Sequence, residues 1–145
     1  MTRLPTLGLL LFLALLGPLA GCGGSNEPPM MPVKGRVTKG GAPLQVAGQE
    51  VGIGMVQVGF YRLEGDGSQK GTPWEAKVDP QGNFTLFGPS GNGIPPGKYK
   101  ITVRQWDPYP QTDKLQGQFD EKNSKIVREI NGASDLAIDV SKPEG

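Results

Sequence analysis

From Val33 onward apolar and polar residues alternate with period two, the spacing of a strand with one face on a core and one in water. Val33, Gly35 and Val37 fall on one face, and Lys34, Arg36 and Thr38 on the other. After the turn Lys39-Gly40-Gly41-Ala42-Pro43 and an aperiodic stretch from Leu44 to Val51, the alternation returns. Val56, Val58 and Phe60 oppose Met55, Gln57, Gly59 and Tyr61. Beyond the polar loop 63–68, Trp74, Ala76 and Val78 oppose Glu75 and Lys77. The turn Asp79-Pro80-Gln81-Gly82-Asn83 leads to Phe84 and Leu86, with proline presetting φ and glycine accepting a positive φ, which predicts a hairpin. The clearest strand has Tyr99, Ile101 and Val103 against Lys98, Lys100, Thr102 and Arg104. Residues 107–124 lack a strong period, and 120–130 could hold a short turn. Lys125–Ile130 and Asp135–Val140 are predicted to form the last pair.

Strands this short, separated by frequent turn signals and with no helical stripe, predict an all-β fold. The expected architecture is an antiparallel two-sheet sandwich of about seven strands, because each sheet has an apolar face that another sheet must cover. The 23 glycines and 14 prolines gather between the alternating runs, as turns require, so they do not signal disorder.

Ahead of the strands, residues 7–16 form an apolar run behind Arg3, broken by Gly17-Pro18. It is shorter than the roughly 20 residues a membrane-spanning helix needs, and it has the layout of a cleaved leader. Leu19, Ala20, Gly21 and Cys22 resemble the bacterial lipobox. That resemblance implies a signal peptide over 1–21 and a diacylglyceryl thioether on Cys22. It also implies cleavage before Cys22, often followed by acylation of the new amino group. Two or three acyl chains make a stable anchor where one is marginal. Residues 22–32 are then a tether, slack at its Gly-Ser end and stiffer at its prolines, and 33–143 the sandwich domain. The protein is expected to be exported and lipid-anchored to a bacterial membrane, its domain in the periplasm or at the cell surface. By analogy, Gly23 in place of a retaining Asp favours the outer membrane.

The order of parts resembles the carboxypeptidase-regulatory-like domain, a transthyretin-like sandwich found in small exported lipoproteins. The residues that carry the resemblance are Val33–Thr38 with Gly41–Leu44, Val58-Gly59-Phe60, Val78–Phe84 and Pro95–Val103, and the ending 123–129 and 135–143. Residues 48–55 depart from it by delaying the second strand. The resemblance implies a fold and a non-enzymatic accessory or adhesive role, and it carries no shared catalytic residues.

Chemistry narrows the function further. With no histidine in the chain, Ser-His-Asp and Cys-His catalysis and histidine-ligated zinc drop out, and Cys22 is committed to lipid. Asp107, Asp113, Asp120 and Glu121 could meet as a calcium site but lack the spacing of a dedicated loop, and they read as solvated acids. No metal or other cofactor is expected. Without Arg3, basic and acidic residues balance at 14 each, so nucleic acid is not an expected partner. Trp106 and Tyr109, held among Asp107, Pro108 and Pro110, are the candidate contact patch for a protein or a polysaccharide, or else they cap the open end of the sandwich. A Lys-Asn isopeptide bond from Lys34 or Lys100 to Asn131 is a remoter option. The sequence therefore predicts a membrane-anchored, non-catalytic module for contacts at the cell envelope. The alternative is a structural scaffold subunit that assembles through its sheet edges.

Overall fold

The computed structural model describes residues 28–145, which form two packed β-sheets without a helix. In chain order the strands are β1 (Val33–Lys39), β2 (Ala42–Pro43), β3 (Met55–Leu63), β4 (Gln69–Val78), β5 (Asn83–Leu86), β6 (Gly97–Trp106), β7 (Val127–Ile130) and β8 (Ser134–Asp139). The expected leader and the lipobox-like residues Leu19, Ala20, Gly21 and Cys22 lie outside the described residues.

β1 is the centre of the first sheet. β8 runs parallel to it, pairing Val33 with Ser134 through to Thr38 with Asp139. The other edge of β1 is shared in tandem by two antiparallel partners. β5 takes Val33 to Arg36 and the short β2 takes Thr38 and Lys39. The second sheet is antiparallel in the order β4-β3-β6-β7.

The predicted alternation holds on both sheets: Val33, Val37, Val56, Val58, Phe60, Tyr99, Ile101 and Val103 are all buried. Phe60 stands between the sheets, its ring centroid 6.0 Å from Phe84 on one side and 6.3 Å from Tyr99 on the other. Burying side chains of this size contributes about 1.5–3 kcal/mol each, which is what holds the two sheets together.

Three sequence expectations are corrected. β4 and β5 are not a hairpin. The Asp79 N–H donates to the Asn83 carbonyl at 2.8 Å and the Asp79 carboxylate collects the Gln81 and Asn83 N–H groups, but the strands then part, β4 to β3 and β5 to β1. The turn is a corner between sheets, because both strands need an apolar partner face and the core lies between them. For the same reason β7 and β8 do not pair with each other; β7 joins β6, and β8 joins β1 as the one parallel pair among the described strands. Residues 42–43, expected in a turn, form β2.

The aperiodic stretch 107–124 folds along an exposed strand edge. β7 covers β6 only from Gly97 to Lys100. Past that point the N–H groups of Ile101 and Val103 donate to the carbonyls of Ile126 and Phe119, at 2.8 and 3.0 Å. The Gln105 N–H donates to an Asp113 carboxylate oxygen at 3.0 Å. Leu115 and Phe119 enter the core from this segment and Ile126 just after it, so a chain without regular period is still anchored at intervals.

These pairings define two poles. The chain enters β1 at Val33, beside Leu86 and Ser134. The opposite pole gathers the end of β1, the Asp79–Gly82 corner next to Val37, the start of β3 at Met55 and the end of β6 at Trp106, paired with Met55.

Candidate functional site

Among the described residues, the pole opposite Val33 carries Val51, Ile53 and Tyr109, three of the four exposed large hydrophobic residues. Trp106 points to the outer face of β6, with Arg104 and away from Ile101 and Val103. Its indole N–H donates to Gln57 Oε1 at 3.3 Å, and the Arg104 guanidinium lies 5.3 Å from its ring centroid, within cation–π range. Tyr109 meets Trp106 edge to face, with centroids 6.2 Å apart at 83°. The two aromatics that stand together in the sequence are thus in contact.

Tyr109 is held by backbone. Its N–H donates to the Ile53 carbonyl at 2.8 Å, joining the turn after β6 to the loop before β3. The turn closes through Asp107 N–H to the Thr112 carbonyl and Gln111 N–H to the Pro108 carbonyl, both at 2.8 Å, and the Asp107-Pro108 and Tyr109-Pro110 peptide bonds are cis. The loop before β3 winds around one carbonyl, that of Gly48, which accepts the N–H groups of Val51, Ile53 and Gly54. Gly48 has φ +68 and would bring a Cβ to 2.9 Å from that of Ile53, so glycine is needed at this position. Gln49 anchors the loop to the core strands, donating to the Val78 carbonyl at 2.6 Å.

Ile53 and Tyr109, joined by their backbone bond, are 58 and 42% exposed, Val51 on the same Gly48-centred loop is 74% exposed, and Trp106 is better covered. Sequence reasoning missed Val51 and Ile53. The available signal was an apolar pair among glycines, Val51-Gly52-Ile53-Gly54, in a stretch that fits no strand.

The four loop acids do not converge. Asp107 pairs with Lys114 at 3.6 Å, and Asp113 accepts the N–H groups of Gln105, Leu115 and Gly117. Asp120 accepts those of Lys122 and Asn123, while Glu121 accepts the Tyr61 hydroxyl at 3.1 Å. Each is a local turn or edge fastener, and among the described residues no group of three His, Cys, Asp or Glu could hold a metal ion.

An open trough of about 740 Å³ runs along the flank between the edges of β4 and β5 and is lined by Trp74, Phe84 and the exposed Phe87. Trp74 contributes to the core there, edge-on to Tyr99 at 5.9 Å.

No family profile and no curated protein matches the chain. Among solved structures it is similar to a DUF3823 family protein from Parabacteroides merdae, with 18% identity and a TM-score of 0.47. The similarity covers 78% of this chain and 46% of that one, so this chain spans less than half that protein's length.

Proposed function

We propose that the protein is a lipid-anchored, non-catalytic β-sandwich module, tethered through Cys22 to a bacterial membrane, that contacts another envelope protein through its far pole. The observation that carries this reading is the Tyr109–Ile53 backbone bond. It brings exposed Tyr109 to the loop that carries exposed Val51 and Ile53, at the end opposite Val33. An anchor at one pole and an apolar surface at the other suit a part that reaches from a membrane toward a partner. Exposed apolar side chains clustered in this way mark contact surfaces.

Of the two partner classes open from the sequence, the chemistry favours a protein over a polysaccharide. A sugar ring needs a flat, free aromatic face, whereas Trp106 already carries Arg104 and the Tyr109 ring. Branched aliphatic Val51 and Ile53 suit another protein's apolar residues. Assembly through sheet edges has less support. β4, an edge strand, contains Pro73 and carries Lys70 and Lys77, and β8, also at an edge, carries Asp135 in a pair with Lys34. Proline and charge on edges disfavour strand addition.

The test uses the full chain expressed with its leader in a bacterial host. Wild type is expected in the membrane fraction and a Cys22→Ser variant in the soluble exported fraction. Cross-linked wild type should capture discrete envelope proteins that a Val51→Ser, Ile53→Ser variant of unchanged circular dichroism fails to capture. Membrane retention of the Cys22→Ser form would overturn the anchor, and identical capture by the patch variant would overturn the contact surface.

A further inference from the structure

We propose that Asn131 is a site of spontaneous modification, converting to isoaspartate and aspartate through a cyclic imide formed with the backbone nitrogen of Gly132. Residues 131–133 connect β7 of the second sheet to β8 of the first. Asn131 is exposed, and among the described residues neither its side-chain amide nor the Gly132 N–H makes a hydrogen bond. Gly132 is held only through its carbonyl, which accepts the Ser134 hydroxyl at 2.9 Å. Nothing lies within 4 Å of where a Gly132 Cβ would stand, so no neighbour packs against Gly132 on that side.

The Gly132 nitrogen gives up its proton to solvent base and attacks Cγ of Asn131, forming the new N–Cγ bond of a five-membered imide. The Cγ–Nδ2 bond breaks, and Nδ2 leaves as ammonia with a proton from water. Water then adds to one of the two imide carbonyls. Opening at one gives aspartate, and at the other isoaspartate, which runs the backbone through the former side chain. No oxidant is required and water is the co-reactant.

The chain contains its own control. Asn92 also precedes a glycine and is also exposed. There, however, the Gly93 N–H donates to the Phe87 carbonyl at 2.8 Å. Gly93 is buried at φ +107, with its α-carbon packed against the Met31 carbonyl. An engaged N–H yields its proton less readily, and a nitrogen fixed in this way cannot swing to Cγ. The fold thus selects one Asn-Gly pair of two. The two lysines that could form an isopeptide bond with Asn131 are engaged elsewhere. Lys34 pairs with Asp135 at 3.5 Å, and Lys100 donates to the Glu121 carbonyl at 3.2 Å.

Purified full-length chain, incubated folded at mildly alkaline pH and mapped by peptide mass spectrometry, tests this. The Asn131 peptide is expected to pass through an ammonia-loss form and then gain about one mass unit, with isoaspartate present. The Asn92 peptide should stay unchanged, and in concentrated urea both should react at similar rates. Gly132→Ala, at a position with no positive φ and free space, should slow the reaction at least about tenfold. If folded Asn131 survives as long as Asn92, or Gly132→Ala reacts as fast as wild type, the proposal is overturned. An ammonia-loss form that water never opens and that links two peptides would instead be an isopeptide bond.

Discussion

The Asp113 carboxylate accepts the Gln105 backbone N–H at 3.0 Å, at a point on β6 that β7 no longer reaches. A side chain stands there in place of a strand. The same carboxylate also takes the N–H groups of Leu115 and Gly117, and Lys114 returns a 2.7 Å bond to the Gln105 carbonyl. One residue thereby closes the sheet edge and starts the turn that delivers Leu115 to the core.

Removing that acceptor should be costly because three N–H groups lose it together. Asp113→Ala is expected to destabilise the domain by about 2–3 kcal/mol, and Asp113→Asn, which keeps one acceptor oxygen, by less. Urea unfolding followed by circular dichroism measures both. An Asp113→Ala loss within about 0.5 kcal/mol, the range of neutral surface changes, would show that the edge closes without this carboxylate.

Gly35 sits at the centre of β1 between β5 and β8. A Cβ there would press on the Leu136 carbonyl oxygen and stand 2.8 Å from the Phe84 ring. Backbone cannot give way as a flexible side-chain tip would. Gly35→Ala is expected to cost about 1–3 kcal/mol by overpacking, although alanine is the better strand residue in isolation. Thermal unfolding would register it as a lowered Tm, and an unchanged Tm would contradict the close packing of β1 on β8.

Tyr99 is fully buried, and its hydroxyl donates to the Pro95 carbonyl at 2.7 Å. Burial raises its pKa above the ordinary 10.0, against a smaller opposing pull from Arg62. A raised folded-state pKa means the neutral form is favoured on folding. The stabilisation is complete below pH 10.0 and is lost as pH rises through the higher folded value. Tyr99→Phe should lose about 1 kcal/mol at neutral pH, from the broken hydrogen bond, yet fall less steeply than wild type in strong alkali. Parallel pH–stability curves for the two proteins would count against this.

Asp139, at the far end of β8, behaves in the opposite sense. The Ser141 N–H and hydroxyl, and then the Gly40 N–H at 2.9 Å, hold its pKa down to about 2 from 3.8. Its contribution is present above pH 3.8 and is lost as pH falls toward about 2 and below. Asp139→Asn should flatten acid unfolding in that window, and NMR titration of the Asp139 carboxyl should give the depressed value directly. A normal midpoint would mean the β8 end is frayed in solution.

The strands were readable from the sequence because alternation records burial locally. Val33 and Val37, Val56 to Phe60, and Tyr99 to Val103 each show period two, and each lies on the core as predicted. The candidate patch was half readable. Trp106 and Tyr109 stand close in the chain, but the loop that carries Val51 and Ile53 meets them through the hydrogen bond from Tyr109 to Ile53, which the sequence does not show.

What the sequence determined by itself, then, was which segments are strands, which of their faces turn inward, and that a lipobox-like motif precedes them. Partner choice was decided only in three dimensions. Asp79–Asn83 has the local chemistry of a hairpin turn, yet β4 and β5 part to opposite sheets, and β8 finds a parallel partner about a hundred residues upstream. The physical reason is that alternation tells a strand only that it needs an apolar face opposite. Which strand supplies that face depends on how the whole set closes around one core, with Phe60 between Phe84 and Tyr99.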